Sequence, residues 1–157
     1  MADHLVSLSP LLTRPVILPT PGLQKTVTDH RVNGEPSGAR AKKGDRLWVA
    51  ATGLGVFGAG SISDEPRLMR FESIGELLER VDEFPVQDPP FVRWLIQEFL
   101  ENDDCEFITV LMVSIHLRVL DQCLEIPERC QTEEIWHELK EGELTAGLGS
   151  RVVGPTT

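Results

Sequence analysis

An α+β fold, with strands at both ends of the chain and helices in its middle, is predicted by three observations on these 157 residues. The first is a glycine-tipped hairpin over residues 44–62. The second is a pair of segments with helical periodicity between Ser73 and Glu101. The third is an apolar run from Phe107 to Leu120 in which nearly every second residue is aliphatic or aromatic. A small, partly open β-barrel flanked by helices accommodates that order of elements.

Taken along the chain, residues 1–13 read as a flexible N-terminal arm, and residues 14–157 as one domain, long enough to bury a core. Arg14-Pro15-Val16-Ile17-Leu18-Pro19 is a short strand bounded by prolines, which favour strand ends and sheet edges because proline has no N–H for the ladder. Residues 24–43 lack periodicity and contain the Asn33-Gly34 and Pro36-Ser37-Gly38 turn signals, so they read as a long polar loop. In the hairpin, the Gly53-Leu54-Gly55 tip supplies the positive φ of a tight turn. Arg46, Trp48, Ala50 and Thr52 share one face of its first strand, and Leu47, Val49 and Ala51 share the other. Gly58 and Gly60 strip the returning strand, letting a ligand or another backbone approach. Trp48 is therefore either the wall of a flat-ring pocket or a core side chain at a barrel corner.

Ser73-Ile74-Gly75-Glu76 has capping-box spacing and opens a helix over 73–83, with Pro85 as its stop. Asp88-Pro89-Pro90 opens a second helix over 89–101, whose stripe is Phe91, Trp94, Leu95 and Phe99. The strand from Phe107 turns polar at Ser114, His116 and Arg118 on one face, which predicts a bend or bulge. Thr132 starts a short helix with Ile135 and Leu139 inward and Gly142 closing it. Residues 147–155 supply a last strand.

Composition narrows the function. Hydrophobic residues make up 41% and charged residues 25%, ordinary for a globular chain. No run of about 18 apolar residues is present, and the first residues lack the pattern of a signal peptide. Cys105, Cys123 and Cys130 form an odd set without a Cys-x-x-Cys pair. That speaks against a zinc site or disulfide scaffold and for a reducing cytoplasm. The net charge is −10, but residues 1–70 hold nine Lys/Arg against six Asp/Glu, while residues 71–157 hold six against nineteen. Arg40, Lys42, Lys43 and Arg46 are the basic cluster, beside the hairpin, and an acidic body would steer a polyanion towards them. No nucleophile elbow, Walker loop, zincin motif or dinucleotide fingerprint occurs, so no catalysis, cofactor or metal is expected.

The residues His30-Arg31, Lys42-Lys43-Gly44-Asp45-Arg46-Leu47-Trp48, Thr52-Gly53, Val56-Phe57-Gly58-Ala59-Gly60-Ser61-Ile62 and Glu65-Pro66 resemble the EVE domain pattern, related to the YTH domain within the PUA-like superfamily. The resemblance implies a PUA-like β-barrel that reads a modified base, a methylated cytosine or adenine flipped from its stack, in DNA before RNA. Applied to this chain, Trp48 or Phe57 would stack on the base. Asp29 and His30 would bond its edge, with Thr20, Thr52 and Gly53 contributing hydroxyl or backbone contacts. Arg31, Arg40, Lys42, Lys43 and Arg46 would hold phosphates, with His116 and Arg118 at the rim. The sister ASCH family carries Gly-x-Lys-x-x-Thr, and Gly22-Leu23-Gln24-Lys25-Thr26 misses that spacing. An ASCH-like amidohydrolase of modified nucleosides is therefore the alternative, as is a protein-interaction module built on the acidic half.

Overall fold

The computed structural model describes residues 2–8, 16–18, 24–51, 53–84, 87–132 and 134–144. Its strands are β1 (Asp3–Leu8), β2 (Val16–Leu18), β3 (Gln24–Val32), β4 (Arg46–Ala51), β5 (Gly55–Ser61), β6 (Arg67–Phe71), β7 (Ile108–His116), β8 (Arg118–Leu124) and β9 (Trp136–Glu138). Two helices, α1 (Ile74–Arg80) and α2 (Pro89–Glu101), lie between β6 and β7. The strands form two sheets, one ordered β8-β5-β4-β1-β9 and the other β2-β3-β7-β6. The α+β class holds, with one correction: the sheets do not close into a barrel. They pack face to face and are tied at one corner, where Ile62 bridges to Ile115.

Burial follows the two-residue period of the strands. Val6, Leu47 and Val49 of the five-stranded sheet meet Val27, Leu111, Val113 and Ile115 of the four-stranded sheet in the central core. The other face of β6 and β7, with Met69, Phe71, Ile108, Val110 and Met112, is covered by Leu77, Phe84, Phe91 and Leu95 from the helical region. The outer face of the five-stranded sheet packs Leu5, Trp48, Ala50 and Val56 under Leu124, Cys130, Leu139 and Leu144. Both faces of β7 are thus buried, which accounts for its unbroken apolar run. At its end the chain bends at Leu117 and passes into β8 of the other sheet. The expected bend falls there.

Several elements depart from the sequence reading. Residues 3–8 of the supposed arm form an interior strand, paired parallel with β4 from Asp3↔Arg46 to Leu8↔Ala51 and antiparallel with β9. Leu5 and Val6 lie on opposite faces, and both are fully buried. The supposed polar loop begins with the nine-residue β3, paired along its whole length with β7. Thr26, Val27, Thr28 and Val32 suit a strand, and the polar members find partners inside. The expected helix after Thr132 is β9, because pairing with β1 outweighs a weak local cap. The segment 147–155 lies outside the described residues. By contrast, β2 sits at a sheet edge, as its prolines require, and α1 starts at Ser73, whose Oγ accepts the Glu76 N–H (3.1 Å).

The glycines of β5 answer the question they raise. A Cβ on Gly60 would strike the His116 carbonyl, and one on Gly58 would lie 2.9 Å from the Leu117 side chain. What approaches the bare strand is the backbone of the β7–β8 crossover. Gly60→Ala is expected to lower stability by about 1–3 kcal/mol, since backbone atoms must shift. Urea unfolding would read this, and an unchanged midpoint would contradict the crossover packing.

Candidate functional site

Register decides which polar side chains meet. Trp48 pairs with Ala59 on β5, and Ala59 pairs with Arg118 on β8, so the three lie in one row across the outer face. The small Ala59 leaves a dip between its larger neighbours. Arg46, Ser61, Gly60, His116 and Leu120 complete a groove of about 400 Å³ around it. The Arg46 guanidinium lies 5.6 Å from the centre of the Trp48 ring, within cation–π range. Trp48 itself is only 1% exposed and belongs to the outer-face core. It offers no free ring face for a base. Its Nε1 is buried and has no hydrogen-bond acceptor among the described residues.

A second cleft, of about 670 Å³, opens at the same end of the five-stranded sheet between Ala2, His4, Ala39, Arg40, Ala41, Lys42, Asp45 and Glu138. Beside it the Trp136 Nε1–H donates to His4 Nδ1 (3.3 Å). An indole can only donate, so Nδ1 accepts and the His4 proton sits on Nε2, which donates to Asp45 Oδ2 (3.0 Å). Asp45 also accepts the backbone N–H groups of Ala2 and Lys42, each at 3.0 Å. Burial pushes the Asp45 carboxyl up, but these donors outweigh it and hold it below its ordinary value. Asp45 thereby fixes the start of β4 and the turn carrying Lys42 and Lys43.

The residues expected to form one site are dispersed. Asp29 is fully buried, and His30 is 1% exposed, so neither presents an edge to a base. The His30 Nε2–H donates to Glu98 on α2 (3.2 Å), and its ring meets Trp94 edge-on. Arg31 is committed to Glu134 (2.6 Å) and Asp29 (3.5 Å) rather than free for phosphate. Burial lowers the Arg31 pKa, but Glu134 and Asp29 outweigh it, and the net shift is upward. Phe57 is half-buried against the central core. Gly53 is at the hairpin tip, with φ of 81°, and lines a third cleft with Cys123, Cys130 and Thr132. Thr20 and Thr52 lie outside the described residues. Arg40, Lys42 and Lys43 are exposed, and Arg46 is half-exposed, all at one end of the sheet. The sequence placed His116 and Arg118 only at a rim. The crossover brings them against Arg46, as the polar switch late in the strand from Phe107 hints.

No family model matches the sequence, and no curated protein matches it. Among solved structures, the fold is similar to that of ASCH from Zymomonas mobilis, with a TM-score of 0.50 at 15% identity over 95% of this chain and 94% of that one. It is similar also to a tyrosine-to-phenylalanine mutant of ASCH from the same organism, with a TM-score of 0.52 at 13% identity over 95% and 98% of the two chains. ASCH domains belong to the PUA-like superfamily, so the chain has an ASCH-like, PUA-like fold. Both structures come from the sister ASCH family, the alternative whose motif spacing Lys25-Thr26 misses, and neither is an EVE domain. No helix among the described residues is long and apolar enough to cross a membrane.

Two outcomes follow. Trp48→Ala should cost about 3–5 kcal/mol in urea unfolding as a core truncation, and Trp48→Phe, which keeps a ring, clearly less. Because Asp45 has a lowered folded-state pKa, its contribution is complete above the ordinary carboxyl value of 3.8 and is lost as pH falls below it. Asp45→Asn should therefore lower stability at neutral pH and flatten the acid limb of a thermal-melt pH series.

Proposed function

We propose that this chain is a nucleic-acid-binding module that holds a strand at the basic end of its five-stranded sheet. The observation that carries this reading is the groove where Arg46, Arg118 and His116 converge. In a chain of net charge −10, no carboxylate is among its lining residues. Arg40, Lys42 and Lys43 extend the positive surface around the same end, so the rest of the molecule repels a polyanion that this end attracts. The PUA-like fold of the structural neighbours is compatible with such a role.

The finer reading is recognition of a modified base, a methylated cytosine or adenine held out of its stack. The cleft between Arg40, Lys42 and Glu138 has room for a base. The Glu138 carboxylate is an acceptor for an exocyclic amine, and the cations beside it suit the flanking phosphates. The hydrolase reading is weaker. Lys25 and Thr26 are neighbours on β3, so their side chains leave on opposite faces, and Thr26 is buried.

Short labelled single strands of DNA and RNA should bind with an affinity that falls steeply with salt. Three phosphate contacts give a log–log slope of roughly −2. Arg46→Glu combined with Arg118→Glu should weaken binding at least ten-fold and flatten that slope, with the melting temperature as a check on folding. Absence of binding at low salt would overturn the proposal. Equal binding of unmodified, cytosine-methylated and N6-methyladenine strands would remove the modified-base reading and leave the module.

A further inference from the structure

We infer that the Arg46–Trp48–Arg118 groove takes a phosphate monoester, at the end of a nucleic-acid strand or on a free nucleotide; this rests on the nucleic-acid reading above. The polar side chains that line the groove are donors, set beside the apolar Trp48, Ala59 and Leu120. Two guanidinium groups line it, His116 and Ser61 can each donate, and no acid does. The part of a ligand that meets these side chains is therefore rich in acceptors and negatively charged. The groove, of about 400 Å³, lies beside the β7–β8 crossover. A phosphodiester carries chain on both of its ester oxygens and offers two free oxygens with a single charge. A monoester projects and can bring three oxygens between Arg46 and Arg118, as planar guanidinium groups favour.

Trp48 supplies the second observation. Its indole N–H is buried and has no acceptor among the described residues, a costly state for a polar group. The Arg46 guanidinium lies over the indole ring. An anion that draws Arg46 towards itself releases the indole face, and a tilt of the freed ring offers the N–H an oxygen. Free Arg46 is held by the ring, and bound Arg46 by the phosphate.

The test compares one labelled oligonucleotide carrying a 5′-phosphate, a 3′-phosphate or hydroxyl at both ends, with an unlabelled mononucleotide as competitor. A phosphorylated end should tighten binding about ten-fold. Trp48→Phe should erase most of that preference while leaving the binding of the hydroxyl-ended strand in place, and Arg118→Gln should weaken the phosphorylated strand more than the hydroxyl-ended one. A mononucleotide that competes as well as the phosphorylated strand identifies the free nucleotide as the source. Competition only by the strand identifies the strand end. The Trp48 indole N–H resonance of the unsubstituted protein gives a readout that needs no variant, and it should move downfield when mononucleotide is added. Equal affinity for phosphorylated and hydroxyl ends, or an indole resonance that does not move, overturns the inference while the nucleic-acid reading stands. No binding of any strand at low salt overturns both.

Discussion

Everything at the basic end depends on one close approach of backbone to backbone. The chain leaves β7 in one sheet, bends at Leu117 and enters β8 in the other, lying so near Gly60 that no side chain fits there. That contact ties the two sheets at their corner, where Ile62 also bridges to Ile115. It also turns His116 and Arg118 outward beside Arg46. Packing and function therefore share an element: the glycines that permit the crossover are the reason a groove exists at all. In a regular strand, larger residues at 58 and 60 would have pushed β8 away and filled the space beside Ala59.

The buried polar groups show how a strand with little apolar character becomes interior. On β3, Asp29 and Arg31 face Glu134 and Ser37, while His30 faces Glu98 and Trp94 from the other side. Each is a group that would be costly to bury alone. The pairs reach across 68 residues for His30 and 103 for Arg31, joining the four-stranded sheet to α2 and to the segment before β9. Such contacts are invisible to a reading by local periodicity, so these residues looked like a solvated loop.

What was legible in the sequence was whatever has a short period or a local punctuation mark. The hairpin from Arg46 to Ser61, α1 with its Ser73 cap, α2 behind Pro89-Pro90 and the apolar β7 all carry such marks. β1, β3 and β9 do not: β9 has three residues, β3 is polar, and β1 carries no turn signal or sustained alternation. Their strand state is imposed by partners far along the chain. The site divided in the same way. The cations of residues 40–46 were evident as a cluster, because neighbours in sequence stay neighbours in space. The contribution of Arg118 depended on a register spanning β4, β5 and β8. Asp29 and His30 have the local polarity of an exposed turn, and only the long-range pairing of β3 with β7 buries them.

The placement of β1 has a consequence for how the molecule comes to exist. This strand is made before the other elements of the fold and sits inside its sheet, between β4 and β9. His4 pairs with Glu138, so the sheet cannot be completed until residue 138 is available. On a ribosome, β1 must wait through synthesis of both the hairpin and the helical layer. While it waits, its edge is open to other strands. Contacts of such long sequence separation slow folding. They also make the interval before β9 emerges the moment at which the fold is most exposed to misassembly.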